Sequence, residues 1–114
     1  PLVTGVQTCA LPIFALNDTL FQDNDTWDCF AKKVAMPDSA IYVWETSSSK
    51  HAFYMASDML LDYKLPDVFV HVTGDEKSRK YRLIIPYEGQ NMSPEELVKT
   101  LKHDGFLHAK IMFR

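Results

Sequence analysis

Tyr63-Lys64-Leu65-Pro66-Asp67-Val68-Phe69-Val70-His71-Val72 is the stretch whose reading decides the fold. In an extended run Val68, Val70 and Val72 fall on one side and Phe69 and His71 on the other. Apolar residues on both sides suit an interior strand covered from above and below. Pro66 has no N–H to give a ladder, so it belongs at the first position of that strand or just before it.

Upstream of this strand, Ala52, Phe53, Ala56, Met59, Leu60 and Tyr63 repeat at helical spacing, which predicts a helix over about residues 50–63. Thr46-Ser-Ser-Ser49 offers it hydroxyl N-caps. Ala40-Ile-Tyr-Val-Trp44 is β-branched and aromatic, and predicts a strand. Before that, residues 17–25 are polar and acidic, a loop by composition. Asp23 or Asp25 would cap a short helix over residues 26–35, with Trp27, Phe30, Ala31 and Val34 on one face, ended by Met36-Pro37-Asp38.

Downstream, Gly74-Asp-Glu-Lys-Ser78 is turn chemistry, and residues 80–86 read as the returning strand of a hairpin. A loop over residues 87–91 leads to Ser93-Pro94-Glu95-Glu96, the clearest local signal in the chain. Ser93 caps, Pro94 takes the first helical position and Glu96 closes a capping box. That helix turns Leu97, Val98 and Leu101 inward, runs to about His103 and stops at Gly105. Residues 106–114 are apolar enough to extend as strand or helix.

A chain of 114 residues that is 46% hydrophobic can bury a core of its own without metal or disulfide. Its net charge of −3, with basic residues scattered, lacks the positive footprint that nucleic acid demands. No apolar run approaches the roughly 20 residues needed to span a bilayer. The first thirteen residues stand apart. Val3-Thr-Gly-Val-Gln-Thr-Cys-Ala-Leu-Pro-Ile13 reads as the conceptual translation of a sequencing-library adapter, with neither the basic start nor the apolar core of a signal peptide. Residues 1–13 are therefore expected to be an artefact and residues 14–114 a domain fragment. On that reading Phe14-Ala-Leu16 is the stump of a strand, and Cys9 does not belong to the natural chain.

The residue types that carry chemistry are dispersed. A dithiol redox cycle needs Cys-x-x-Cys, and Cys29 is followed by Phe-Ala-Lys. It reads as a small apolar residue on a helix, with a monothiol role as the alternative. His51, His71, His103 and His108 show no metal-ligand spacing. His71, in the buried strand, reads as a core histidine satisfied by a backbone carbonyl. Asp23-Asn-Asp25 begins like a calcium loop but lacks the glycine and closing glutamate. Glu95 and Glu96 are first-turn helix acids. The serines at positions 47–49 lack a Gly-x-Ser-x-Gly elbow, and capping accounts for them. No metal, cofactor or catalytic residue is expected.

The order strand, helix, strand, helix, proline-led strand, hairpin strand, helix matches an α/β, thioredoxin-like layer. Its mixed central sheet of about four strands would be flanked by helices and truncated at the N-terminus. The strand at 68–72 would pair in parallel with 41–44 and antiparallel with 80–86. In that fold Pro66 is cis, and Leu65 and Pro66, with Trp44 nearby, would line a ligand or partner surface facing residues 17–25.

Trp27–Phe30, Ile41-Tyr-Val-Trp44 with Glu-Thr-Ser-Ser, Tyr54-Met-Ala-Ser57, Tyr63-Lys-Leu-Pro66, Tyr87-Glu-Gly89 and Ser93-Pro-Glu-Glu-Leu97 carry a resemblance. Over about residues 14–105 the chain resembles the UAS domain of UBX-domain proteins, the FAS-associated factor type. The resemblance implies a thioredoxin-like module that is not an enzyme, part of an adaptor in ubiquitin-dependent protein degradation. It implies protein partners in the ubiquitin pathway, among them the valosin-containing AAA ATPase through a UBX domain outside this chain. Some members bind long-chain unsaturated fatty acids. The implied setting is the cytoplasm, including the endoplasmic reticulum surface. The alternative is a monothiol thioredoxin-like enzyme acting through Cys29.

Overall fold

In the computed structural model, which describes residues 21–87 and 92–113, the chain runs through six strands and two helices. These are β1 (Thr26–Asp28), β2 (Lys33–Val34), β3 (Ser39–Thr46), α1 (Ser49–Asp62), β4 (Phe69–Thr73), β5 (Lys80–Pro86), α2 (Pro94–His103) and β6 (Lys110–Phe113). The strands form one sheet in the order β2-β1-β4-β5-β3-β6, every pairing antiparallel.

This sheet corrects the expected thioredoxin-like layer of about four mixed strands. The strand of Val68, Val70 and Val72 is interior, but its neighbours are β1 and β5, not β3. β3 and β4 do run in the same direction, as strands joined by a helix commonly do. β5 inserts between them and pairs with both. β5 and β6 likewise run parallel across α2, with β3 between them. Two interlocked split β-α-β units thus give the β-α-β-β-α-β order of a ferredoxin-like sheet. The β1–β2 hairpin extends it at the outer edge of β4. Such a fold hosts many unrelated activities and by itself assigns none.

The helix expected over residues 26–35 is this hairpin instead. Asp28 Oδ1 accepts the N–H groups of Phe30 and Lys32, both at 2.9 Å, while Lys32 O accepts from Asp28 N at 2.8 Å. Ala31 takes a positive φ of 62°. The aspartate side chain closes a tight turn that competes with the helix, and Thr26 and Val34 then pair across it.

Both helices form with the caps their sequences suggest. Ser48 Oγ accepts from His51 N at the start of α1, and Ser93 Oγ accepts from Glu96 N at 3.2 Å at the start of α2. Gly105, at φ 108°, ends α2 with Phe106 N bonded to Leu101 O and its own N to Lys102 O. α1 ends in the same paired bonds, Leu65 N to Leu60 O and Lys64 N to Leu61 O, but with Lys64 at φ 53° where glycine is usual. That left-handed residue makes the bend into β4. The described residues contain no cis peptide bond, so the expectation of a cis Pro66 is corrected as well.

Both helices pack on one face of the sheet. α1 contributes Ala52, Phe53, Ala56 and Met59, and α2 contributes Leu97 and Leu101. They meet Ile41 and Val43, Val68, Val70 and Val72, and Tyr81, Leu83 and Ile85. Phe21 plugs this core from before β1, within 5.1–5.8 Å of the rings of Trp27, Phe53 and Tyr81. It is 1% exposed, although its surroundings in sequence read as a loop.

Candidate functional site

With both helices on one face, the residues alternating with the core set belong to the other. Register places them in rows. One row runs Asp28, Phe69, Ile84, Tyr42, Lys110 across β1, β4, β5, β3 and β6. A second runs Thr26, His71, Arg82, Glu45 across the first four of these strands. A bulge between Tyr42 and Trp44 lets β3 keep both rows in step.

Tyr42 is the centre of the more open part. The guanidinium carbon of Arg82 and the Nζ of Lys110 each lie 5.9 Å from its ring centroid, the reach of a cation–π contact. Its hydroxyl donates to Glu45 Oε1 at 3.4 Å. Arg82 Nε lies 3.4 Å from the same oxygen, an ion pair that falls short of hydrogen-bond geometry. Burial first, and then the Glu45 charge, push the Tyr42 hydroxyl above its ordinary pKa, against the opposing pull of Arg82.

His71 stands beside this group and is buried. Its Nδ1 lies 2.9 Å from Thr26 Oγ1, so the partner is a side chain on β1 and not the expected carbonyl. Thr26 Oγ1 also reaches Met36 Sδ at 3.5 Å. Burial is the main cause that lowers the His71 pKa. Arg82 lowers it further, while Asp23 and Asp25 partly oppose.

The connection from β2 to β3, residues 35–38, crosses this face. Met36 reaches Thr26, and the connection walls a cleft of ≈ 520 Å³ with Phe69, Pro86 and Tyr87. The volume is in the range of small-ligand sites. Ile84 is fully buried although it lies opposite the helices, which fits cover from this side. Asp38 and Asp67 stand on the cleft lining. Burial first, then the charge of Asp28, raise the Asp67 pKa.

The residues expected to share a surface do not share one. Trp44 lies opposite Leu83 toward the far end of β3, half-buried against the core. Leu65, also packed on the core, and Pro66, which is exposed, precede β4 at the end of the sheet where β3 begins. None of the three lines the 35–38 cleft or either of the two more polar clefts. Cys29 is buried and disulfide-bonded, so its sulfur is not a free thiolate. The chain's other cysteine, Cys9, falls with the adapter reading of residues 1–13 outside the described residues, as does the stump at 14–16. The loop expected at 17–25 is described only from Phe21 onward.

Two further clefts are more polar. One of ≈ 680 Å³ lies by the β4–β5 turn, where Asp23 accepts from Gly74 N at 2.8 Å. Gly74 has φ 92° there, and a Cβ would meet Ser78 O at 2.4 Å, so the turn admits only glycine. The other, of ≈ 370 Å³, joins the ends of both helices, where the Tyr63 hydroxyl donates to Asp104 Oδ2. Burial, with that bond next, pushes the Tyr63 hydroxyl up to about 12. Among the described residues no group of three or more His, Cys, Asp or Glu is placed to hold a metal ion. No described helix is long and apolar enough to cross a membrane.

Compared with protein-family models, curated proteins and solved structures, the chain matches none.

Proposed function

We propose that the chain is a non-catalytic interaction module whose partner docks on the helix-free face of the sheet. The observation that carries this reading is the accessible group Tyr42, Arg82 and Lys110, with both cations over the tyrosine ring. A tyrosine with Arg at its side has the composition of interface hot spots. A rigid sheet with packed helices behind it holds that group in fixed geometry.

The resemblance to UAS domains supports placing such a module in an adaptor of ubiquitin-dependent degradation, in the cytoplasm. That family's layer is not the sheet this chain forms, so the proposal rests on the face and not on the resemblance. A fatty acid is a poor occupant of the 35–38 cleft, because Asp38 and Asp67 on its lining repel a carboxylate head group. A monothiol enzyme would need a sulfur that substrate can reach, and Cys29 is buried.

Panning a random-peptide display library on the immobilised chain tests the reading. Binders should be lost with Tyr42→Ala but kept with Tyr54→Ala, an exposed residue of α1. Binders lost with Tyr54→Ala and indifferent to Tyr42→Ala would sink it.

A further inference from the structure

We infer that the helix-free face binds a partner protein through an acidic segment, whose carboxylates meet Lys110 and the outer nitrogens of Arg82 beside Tyr42. This deepens the interaction reading and depends on it. The site is confined to β5, β3 and β6. Ile84 is buried and Phe69 stands at the 35–38 cleft, so both lie outside it. Lys110 and Arg82 come from the strands on either side of β3, and both reach the ring of its Tyr42. Lys110 is exposed, and the Arg82 side chain keeps 42% of its surface open.

Two cations share one counterion there. Glu45 Oε1 is approached by Arg82 Nε and accepts from the Tyr42 hydroxyl. The two Nη groups of Arg82 take no hydrogen bond, and Lys110 no ion pair, among the described residues. The group is thus positive on balance, on a chain of net charge −3. Cations held near one ring repel each other. A carboxylate beside them relieves that repulsion, and the fork of Arg82 matches its geometry. A nucleic acid base would have to displace these cations to stack on the ring, and two cations make no track for successive phosphates. A small free anion fits no better. Tyr42, Arg82 and Lys110 line none of the three clefts, and a small ligand needs a hollow that buries most of its surface. A protein partner covers about 800 Å² of each side and needs no such hollow. Asp28, Asp38 and Asp67, toward the β1 side of the face, repel an acidic segment and so restrict it to the β6 side.

The test sequences the heptapeptides panned on the full chain and remakes the winners as fluorescein-labelled peptides for anisotropy. The winners should be enriched in Asp and Glu, and their affinity should fall as salt rises. Lys110→Glu should weaken them roughly tenfold. Glu45→Gln, which removes the competing carboxylate, should tighten them about threefold, a gain that no folding defect produces. Lys50→Glu, the same charge reversal on α1, should change them by less than about twofold. Winners without an excess of acids, full binding to Lys110→Glu, or weaker binding to Glu45→Gln would each overturn the inference. So would a Lys50→Glu loss equal to that of Lys110→Glu, or displacement by oligothymidylate more readily than by the unlabelled peptide. Winners that depend on Tyr42 but lack acids would leave the interaction reading standing. A library yielding no binders removes the interaction reading and this inference together.

Discussion

Replacing Ile84 tests whether the 35–38 connection truly covers the sheet. Ile84 is fully buried on the face without helices, between Phe69 and Tyr42 in the row. If the cover is real, Ile84→Ala loses the transfer energy of the side chain, about 1.5–3 kcal/mol, and leaves a cavity besides. Core Ile→Ala changes cost about 2–5 kcal/mol in all. Against a total stability of roughly 5–15 kcal/mol that is a large loss. Ile84→Val should cost about 0.5–1.5 kcal/mol. Urea unfolding followed by tryptophan fluorescence and by far-ultraviolet dichroism would show a lower midpoint with an unchanged slope, because the compactness of the two states is the same. Met36→Ala should weaken the effect of Ile84→Ala, since the two changes would share one cavity. A loss under about 0.5 kcal/mol, the range of surface substitutions, would mean that the face is open and the connection does not cover it.

Further expectations concern single residues. Lys64→Gly should stabilise the chain by about 1 kcal/mol, because Lys64 holds a left-handed φ that costs an L residue roughly 1–2 kcal/mol and glycine little; an unchanged melting temperature would count against that bend. Ser93→Ala should cost about 1 kcal/mol through loss of the α2 cap, and a neutral result would remove the cap. Pro66→Ala should shift stability by less than about 1 kcal/mol, since the residue is exposed and its bond is trans. A large loss would reopen the proline-centred fold. For His71 the folded-state pKa lies below the ordinary value of 6.5. The unfolded chain therefore binds the proton first, and stability is level above about pH 7 and falls as the pH drops through about 6.5 toward the folded value. His71→Gln should flatten that fall, and an identical pH dependence in both proteins would contradict the burial of His71.

Local chemistry made much of this structure legible in the sequence. The serine caps, Pro94, Gly105 and the spacing of Ala52, Phe53, Ala56 and Met59 act within one or two turns, so both helices lie close to where the sequence predicts them. The order of the sheet is a long-range property. A helix between two strands implies that they run parallel, but not that they touch, and β5 comes between β3 and β4. Its signal was present in Leu83-Ile84-Ile85, three consecutive apolar residues that only a strand buried on both faces accommodates. The false helix at 26–35 arose because Trp27, Phe30, Ala31 and Val34 fit a helical period, while Asp28 held the turn that breaks it. The candidate surface could not be read at all before the register was known, since Tyr42, Arg82 and Lys110 are neighbours only across strands.

The five methionines supply the most direct measurement of where a partner docks. Met36 lines the 35–38 cleft and Met112 shares the helix-free face with Lys110, whereas Met55 and Met59 lie on α1. With methyl-labelled methionine and a bound peptide carrying a paramagnetic tag, the signals of Met36 and Met112 should broaden while those of Met55 and Met59 remain sharp. Broadening confined to Met55 and Met59 would place the partner on the helices and contradict the account.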